Sequence, residues 1–197
     1  MSASVDFVHL HVHSEYSLLD GASKLKEIID KVKRLNMNAV ALTDHGNMYG
    51  AVKFYLSSKE IGIKPIIGCE MYLAPRTRFD KETKEDRSPY HLTVLAKDDI
   101  GYKNLISLVT LSHLEGFYQK PRIDRELLEK HKDGLIVLSG CLAGQIPSLI
   151  LENKYSEAKN VAKWFKEIFN DDFYLELMDN GIPEQIAVTK KLLQLSK

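Results

Sequence analysis

The stretch that decides the fold of this protein is HLHVHSEYSLLDG, which runs from His9 to Gly21. The alternation over Phe7 to Val12 predicts a first β-strand. Residues i and i+2 of a strand point to the same face, so the imidazoles of His11 and His13 can reach one metal ion or two adjacent ones. His9 shares that face one step deeper, and we expect it to be a hydrogen-bonded interior histidine rather than a ligand.

Short apolar runs alternate with amphipathic segments along the rest of the chain. Further strands are predicted at 39–43, 64–73, 92–96, 135–138 and 173–177, and helices lie between them, for example at 25–35 and 51–61. This alternation predicts a parallel α/β architecture, either a barrel or an open doubly wound sheet. The Gly-rich fingerprints of dinucleotide and P-loop sites are absent from the sequence, which favours the barrel.

Composition excludes several classes of protein. The 197 residues are 44% hydrophobic, and 27 basic residues balance 27 acidic ones, so the chain is not expected to be disordered. Proteins that hold nucleic acid by charge alone are usually strongly basic, so any contact with DNA needs a local site or a neighbouring domain. No apolar run is long enough for a membrane span. Only two cysteines are present, which favours a reducing, cytoplasmic compartment.

Metal-type ligands follow nearly every predicted strand. Asp20 comes after the first strand, His45 after the second, Glu70 lies within the third, and Cys141 follows the strand at 135–138. Sites in α/β proteins form at the carboxyl ends of strands. A mixture of imidazole, carboxylate and thiolate suits zinc, manganese or iron rather than calcium. Two or more such metals can stabilise both the attacking and the leaving oxygen in a phosphoryl displacement.

Three other features of the sequence need interpretation. Asp44 is either a turn residue or, as we prefer, a carboxylate that orients the ring of His45. Cys69 precedes Glu70 and therefore faces the opposite side of its strand, where it is expected to be a buried core residue. The mixed-charge segment 74–90 is either a solvated loop or a substrate-binding one, in which Arg76 or Arg78 contacts a substrate phosphate.

Five short motifs along the chain resemble those of one known family. The segments 9–21, 43–47, 68–70, 91–96 and 138–141 are similar to the successive motifs of the PHP (polymerase and histidinol phosphatase) domain. Longer strings at 16–22, 50–55 and 116–125 resemble the PHP domain at the N-terminus of DnaE-type bacterial replicative DNA polymerases. The resemblance covers essentially the whole chain, so a single PHP domain is expected over 1–197.

The resemblance implies a distorted (β/α)7-type barrel with two or three divalent transition metal ions (Zn, Mn or Fe) at its mouth. It implies that His13 and His45, supported by Asp44, carry catalysis. The implied metal ligands are His11, His13, Asp20, His45, Glu70, His91 and Cys141. The family has a further Asp and His after its last strand, so this chain is expected to be a fragment that ends before them and lacks the final strand.

His91 precedes its predicted strand, which would put it at the wrong end of a strictly parallel barrel. Either that strand runs against the others, or the residues before it fold back over the mouth.

Three functions are compatible with the sequence. The first is a metal-dependent phosphoesterase, a 3′–5′ exonuclease within a replicative polymerase, acting on the primer 3′ end of DNA beside the remaining polymerase domains. The second is a metal-stabilised module that braces the polymerase and docks a separate proofreading exonuclease subunit. The third is a free-standing phosphatase of the histidinol phosphatase kind. No motif suggests that the fragment itself polymerises DNA. The complete set of ligand types favours the first function.

Overall fold

The structure is a computed structural model that describes residues 7–197, and the predicted α/β architecture is confirmed. The helices of the described residues are α1 (Leu25–Arg34), α2 (Ala51–Glu60), α3 (Asp99–Leu114), α4 (Arg125–Lys130), α5 (Gln145–Leu151), α6 (Tyr155–Phe169) and α7 (Pro183–Leu195). The strands are β1 (Ala39–Leu42), β2 (Lys64–Leu73), β3 (Tyr90–Ala96), β4 (Arg122–Ile123), β5 (Leu135–Leu138) and β6 (Phe173–Tyr174). None of these helices is long and apolar enough to cross a membrane.

One strand of the sheet runs against the other five. The strand order is β1-β2-β3-β5-β6, and β4 pairs with the carboxyl end of β2. Strand β3 is antiparallel to both of its neighbours, β2 and β5, whereas the remaining pairs are parallel. His91 at the start of β3 therefore lies opposite Tyr72, near the carboxyl end of β2. Of the two explanations offered for the position of His91, the reversed strand is the correct one.

The predicted first strand is wrong in detail, because Phe7 to Val12 forms no regular ladder. Two backbone hydrogen bonds still hold the segment beside β1, from Ala41 N–H to the His9 carbonyl (2.9 Å) and from Thr43 N–H to the Val12 carbonyl (2.8 Å). The two acceptors, His9 and Val12, are three residues apart, whereas the two donors, Ala41 and Thr43, are two apart. The pairing is therefore out of step by one residue, as in a β-bulge. The predicted strand at 173–177 is also shorter, since β6 ends at Tyr174.

The hydrophobic core explains which face of β2 carries the chemistry. Cys69, Met71 and Leu73 are buried in a core cluster with residues of α3, α5 and α6, which confirms the prediction for Cys69. Successive side chains of a strand point to opposite faces. Glu70 and Tyr72 therefore face away from that core, toward the segment that carries His11 and His13.

Arg122 fixes the loops on the β4 side of the sheet. Its side chain is fully buried and donates to three backbone carbonyls, those of Gly116 (3.0 Å), Asp86 (2.9 Å) and Arg78 (2.9 Å). A buried guanidinium needs such acceptors, because burial without hydrogen bonds is costly for a charge. The segments around 78–86 and 116–122 are thus tied to one side chain.

Candidate metal centre

Glu70 lies at the centre of a cluster of imidazoles and is 1% exposed. Its Oε1 atom lies 3.3 Å from His11 Nε2 and 2.9 Å from His91 Nδ1. Its Oε2 atom lies 3.3 Å from His13 Nε2 and 2.8 Å from His45 Nδ1. One buried carboxylate therefore contacts four imidazoles from three different parts of the chain.

Cys141 and Asp20 complete the group. The Cys141 sulfur, just after β5, lies 3.6 Å from both Glu70 Oε1 and His91 Nδ1. Asp20 Oδ2 lies 2.9 Å from His45 Nε2, and the Asp20 side chain is 55% exposed, so this carboxylate marks the solvent side. The structure thus brings all seven predicted metal-ligating residues together.

Each ligand reaches the cluster for a local reason. The segment beside β1 points His11 and His13 to one side, and their Nε2 atoms lie 3.0 Å apart. His45 lies just beyond β1, after Thr43 and Asp44, and forms an isolated parallel bridge with Glu70 that continues the β1–β2 pairing. The reversal of β3 places the ring of His91 beside Glu70. The mouth of the sheet is therefore built from the ends of β1, β2 and β5 and the beginning of β3.

The ligand atoms form three overlapping groups, and the atoms within each group lie within 4.8 Å of one another. The groups are His11–His13–Glu70, His13–Asp20–His45 and His45–Glu70–His91. Each group shares a member with the next, which is the arrangement that adjacent cations with bridging ligands require. Imidazole nitrogens and carboxylate oxygens together suit divalent transition metals.

Two buried atoms of the cluster test whether a metal fits. His45 Nδ1 and Glu70 Oε2 lie 2.8 Å apart, yet neither makes a directed hydrogen bond. Buried polar atoms almost always have a partner, and an orphaned pair needs an explanation. A cation held between an imidazole lone pair and a carboxylate oxygen satisfies both atoms, so the residues present fit a divalent metal.

The pKa shifts of the cluster also favour a bound positive charge. Burial alone would raise the pKa of Glu70, but contacts with His11, His45 and His91 hold that pKa far below its usual range. Burial alone would lower the pKa of His11, but Glu176 and Glu70 outweigh it and raise the pKa to about 10. The pKa of His91 rises against burial to about 9, owing to Cys141 and Glu70. The buried carboxylates therefore attract positive charge, which protons or divalent cations can supply.

The remaining two imidazoles differ from each other. Contacts with Glu70 and Asp20 raise the pKa of His45 in spite of its burial. Burial lowers the pKa of His13, and the positive charges of His45 and His11 lower it further although Glu70 opposes them. A neutral imidazole has a lone pair free for a metal. Because its pKa is lowered, His13 has less need than the other three imidazoles to lose a proton before it binds a metal.

Asp44 has a different role from the predicted one, because its carboxylate does not contact the ring of His45. It accepts hydrogen bonds from Ser14 N–H (2.6 Å), Ser14 Oγ (2.8 Å) and Ser17 Oγ (2.8 Å). Ser17 Oγ in turn lies 3.1 Å from His13 Nδ1 and accepts the His45 backbone N–H at 3.1 Å. Asp44 therefore orients the turn at 14–17 and, through Ser17, the ring of His13.

Glu176 is a residue of the site that the sequence analysis missed. It follows β6 by two residues, and its Oε1 lies 2.7 Å from His11 Nδ1. Thr93 donates to Glu176 Oε2 at 3.1 Å and lies 3.2 Å from the same His11 nitrogen. The signal that could have found it is a carboxylate just after an apolar run, the rule that identified Asp20. The predicted strand at 173–177 hid this signal, because it extended past Glu176.

Three other predicted positions lie outside the cluster. His9 is exposed rather than interior, because the out-of-step pairing at 9–12 breaks the alternation that would have turned it inward. Arg76 pairs with the buried Asp86 at 2.7 Å. Arg78 pairs with Asp124 at 3.0 Å and with Glu115 at 2.7 Å. These partners account for both arginines as loop anchors, and the substrate-binding role suggested for them stays a prediction.

Comparison with known proteins identifies the class of this fold and site. The family model described as "PHP domain" matches residues 9–180. The chain belongs to the PHP domain family. A solved structure described as a "putative metal-dependent phosphoesterase" from Bifidobacterium adolescentis has a TM-score of 0.54, and the match covers 96% of this chain and 84% of that one. Its sequence is 13% identical, so the likeness concerns the fold.

The more similar relatives are a particular kind of polymerase subunit. DNA polymerase III subunit alpha of Borreliella burgdorferi is 52% identical over 198 residues, which cover all of this chain and 17% of that protein. The subunit of the same name from Aquifex aeolicus is 49% identical over 200 residues, covering 98% of this chain and 17% of that protein. The match lies in the N-terminal region of these relatives, and this chain spans about a sixth of their length.

Proposed function

We propose that this chain is the PHP domain of a replicative DNA polymerase of the subunit alpha kind, and that it is a metal-dependent phosphoesterase acting as a 3′–5′ exonuclease on the primer 3′ end. The observation that carries the proposal is the contact of buried Glu70 with four imidazoles, including an orphaned pair of polar atoms. The domain is proposed to extend over 1–197 and to act beside the remaining domains of a longer chain.

The proposed ligand set is the one named from the sequence, and two or three ions of zinc, manganese or iron suit its imidazole, carboxylate and thiol groups. Divalent metals bound there would polarise a phosphoryl group and lower the pKa of a water molecule. The accessible side of the cluster is formed by the more exposed side chains, whereas Glu70 lies at its base. These are Asp20 (55%), His91 (22%), His13 (21%) and His45 (16%). A phosphate ester therefore approaches Asp20, His13 and His45 before it meets His11 or Glu70.

The chain's own residues hold this arrangement rigid. Ser17 contacts both the ring of His13 and the backbone N–H of His45, and Asp44 fixes Ser17. Phosphoryl transfer depends on such positioning, because small displacements of the reacting atoms slow the reaction strongly. We assign catalysis to His13 and His45, with Asp44 as the residue that positions them.

Exonuclease assays on the full-length polymerase chain test the proposal. A labelled primer with a 3′ mismatch is incubated with the wild type and with His13→Ala, His45→Ala and His9→Ala. Loss of an outer partner of a metal ligand costs about 10- to 100-fold, so loss of a ligand is expected to lower the hydrolysis rate at least ~100-fold. His9→Ala is the matched control, because this histidine lies in the same segment but is exposed outside the cluster.

DNA synthesis by the same preparations shows that each variant is folded. Unchanged hydrolysis by both His13→Ala and His45→Ala contradicts the exonuclease proposal. The alternative is then a metal-stabilised module that docks a separate proofreading exonuclease. Either function places the chain with the replication machinery in the bacterial cytoplasm.

A further inference from the structure

Tyr72 lies beside the metal centre with a hydroxyl that no described residue uses. It shares the face of β2 with Glu70, two residues away, and is 5% exposed. Its ring stacks on that of His45, with centroids 5.7 Å apart and an interplanar angle of 10°, and it meets His91 edge-on at 5.2 Å. Buried tyrosines usually find a hydrogen-bond partner for the hydroxyl. The Tyr72 hydroxyl is therefore an unused donor on a ring that contacts both His45 and His91.

Lys120 supplies positive charge at the same place. Its Nζ lies 5.2 Å from the centroid of the Tyr72 ring, its side chain is half-buried, and no described carboxylate forms an ion pair with it. The ammonium is therefore free to pair with an anion that binds beside the Tyr72 ring. Arg76 and Arg78, the cations first considered for this role, are already paired with carboxylates.

The loop that carries Lys120 is fixed to the loop that carries His45. The Tyr118 N–H donates to the Lys120 carbonyl at 3.0 Å, and His113 Nε2 lies 2.9 Å from the Gly46 carbonyl. A Cβ built on Gly46 would lie 2.7 Å from Pro121 and 3.2 Å from Tyr72, so only glycine allows this close packing. The backbone around Lys120 is thus packed close to the backbone after His45, and the ammonium lies over the ring of Tyr72.

We propose that Tyr72 and Lys120 form the phosphoryl-binding wall of this site. The phenol hydroxyl donates to one anionic oxygen of a phosphoryl group, and the ammonium pairs with another. Charge-assisted hydrogen bonds of this kind are the strong ones, and lysine binds phosphate as a point charge. The inference rests on the proposed function, because it assigns the recognition of the substrate to that same centre. The ligand is a phosphoryl anion, whether from a DNA ester or from free phosphate.

Binding of inorganic phosphate to the metal-loaded, full-length chain tests the inference, together with the KM and kcat for primer hydrolysis. Tyr72→Phe keeps the ring and Lys120→Met keeps the aliphatic stem, so both preserve packing. A lost hydrogen bond to a charged group weakens binding roughly tenfold, so Lys120→Met is expected to raise the Kd for phosphate by about that factor. Tyr72→Phe is expected to raise it several-fold. Lys120→Arg should restore binding, and Lys159→Met, at an exposed position of α6, is the matched control.

Unchanged Kd and KM in both variants would overturn the inference, and so would a lower thermal midpoint with an unchanged Kd, since that marks a merely structural contact. A rise in the Kd for phosphate supports it. A parallel rise in the KM for primer then identifies the DNA ester as the ligand, whereas an unchanged KM identifies free phosphate. If His45→Ala hydrolyses the primer as fast as the wild type, the proposed function fails by itself. The comparison of Kd values for phosphate still decides the role of Tyr72 and Lys120.

Discussion

The Oε1 atom of Glu176 lies 2.7 Å from Nδ1 of His11, and this contact joins residues 165 positions apart. The ring of His11 is held on the Glu176 side, so that its other nitrogen, Nε2, faces Glu70 at 3.3 Å and His13 at 3.0 Å. A carboxylate that fixes the outer nitrogen of an imidazole is a common support for metal-ligating histidines. Glu176 therefore belongs to the centre, although the hydrogen-bond partners of its carboxylate among the described residues are His11 and Thr93.

Glu176→Ala is expected to lower the metal affinity of the protein. Supporting partners of metal-bound histidines typically contribute about 10- to 100-fold in affinity, and a loss in that range is expected here. Competition with a chelator of known affinity measures it. Glu184→Ala, an exposed carboxylate of α7, is the control and should leave the affinity unchanged. Equal affinities for Glu176→Ala and the wild type would show that His11 needs no such support.

The two cysteines should differ sharply in reactivity. Cys69 is fully buried, and burial raises the pKa of its thiol well above the ordinary value, so it stays unreactive in the folded protein. Cys141 is half-buried beside Glu70 and His91. A thiol reagent should therefore label one cysteine in the metal-free folded protein, and added zinc should slow that labelling. Labelling that is insensitive to zinc would exclude Cys141 as a ligand, and Cys141→Ser identifies the labelled site.

The loop at 74–89 should loosen in acid. The Arg76 guanidinium and the Thr83 N–H donate to the buried Asp86 carboxylate and hold its pKa well below the ordinary value. Because the folded pKa is depressed, this stabilisation is full above the unfolded pKa of about 3.9 and is lost as the pH falls below it. The difference in thermal midpoint between the wild type and Asp86→Asn should be largest near neutral pH and shrink in acid. A difference that does not change with pH would contradict this account.

Arg122→Met should destabilise the fold strongly. The substitution leaves the buried carbonyls of Asp86 and Arg78 without their donor, whereas the Gly116 carbonyl keeps only the backbone N–H of residue 122 at 3.4 Å. Unsatisfied buried groups cost about 1–3 kcal/mol each, so the free energy of unfolding should fall by about 3 kcal/mol or more. Denaturant titration measures the change. Arg34→Met, at the exposed end of α1, should stay within about 0.5 kcal/mol of the wild type, and a similar small change in Arg122→Met would be the contrary result.

Much of the site could be predicted from local sequence, because its ligands follow buried apolar runs. His45 and Cys141 sit where the strand-end rule puts them, Glu70 lies within β2 as expected, and the predicted bounds of β2 match the structure to the residue. The reversed direction of β3 could not be derived from alternation alone, since a strand reads the same in both directions. The position of His91 before its strand conflicts with a strictly parallel barrel, and the antiparallel pairing of β3 with β2 and β5 resolves that conflict.

The errors have a common physical origin in long-range contacts. The pairing of the segment at 9–12 with β1 is out of step by one residue, which local periodicity cannot register, and this exposes His9. Asp44 turned from the His45 ring because Ser14 and Ser17 offer it three donors across about 30 residues of sequence. Arg78 pairs with Glu115 and Asp124, which are separated from it by even more residues of sequence. Propensity and spacing do not carry this information.

The central claim is that the imidazoles around Glu70 hold divalent metal ions. It is tested most directly by anomalous scattering from crystals of the protein grown with zinc and manganese, with data collected on both sides of each metal's absorption edge. The account predicts peaks about 2.0–2.2 Å from the nitrogens of His13 and His45 and from a Glu70 oxygen. A map without anomalous peaks among His11, His13, His45, Glu70 and His91, from protein whose fold is intact, would contradict it.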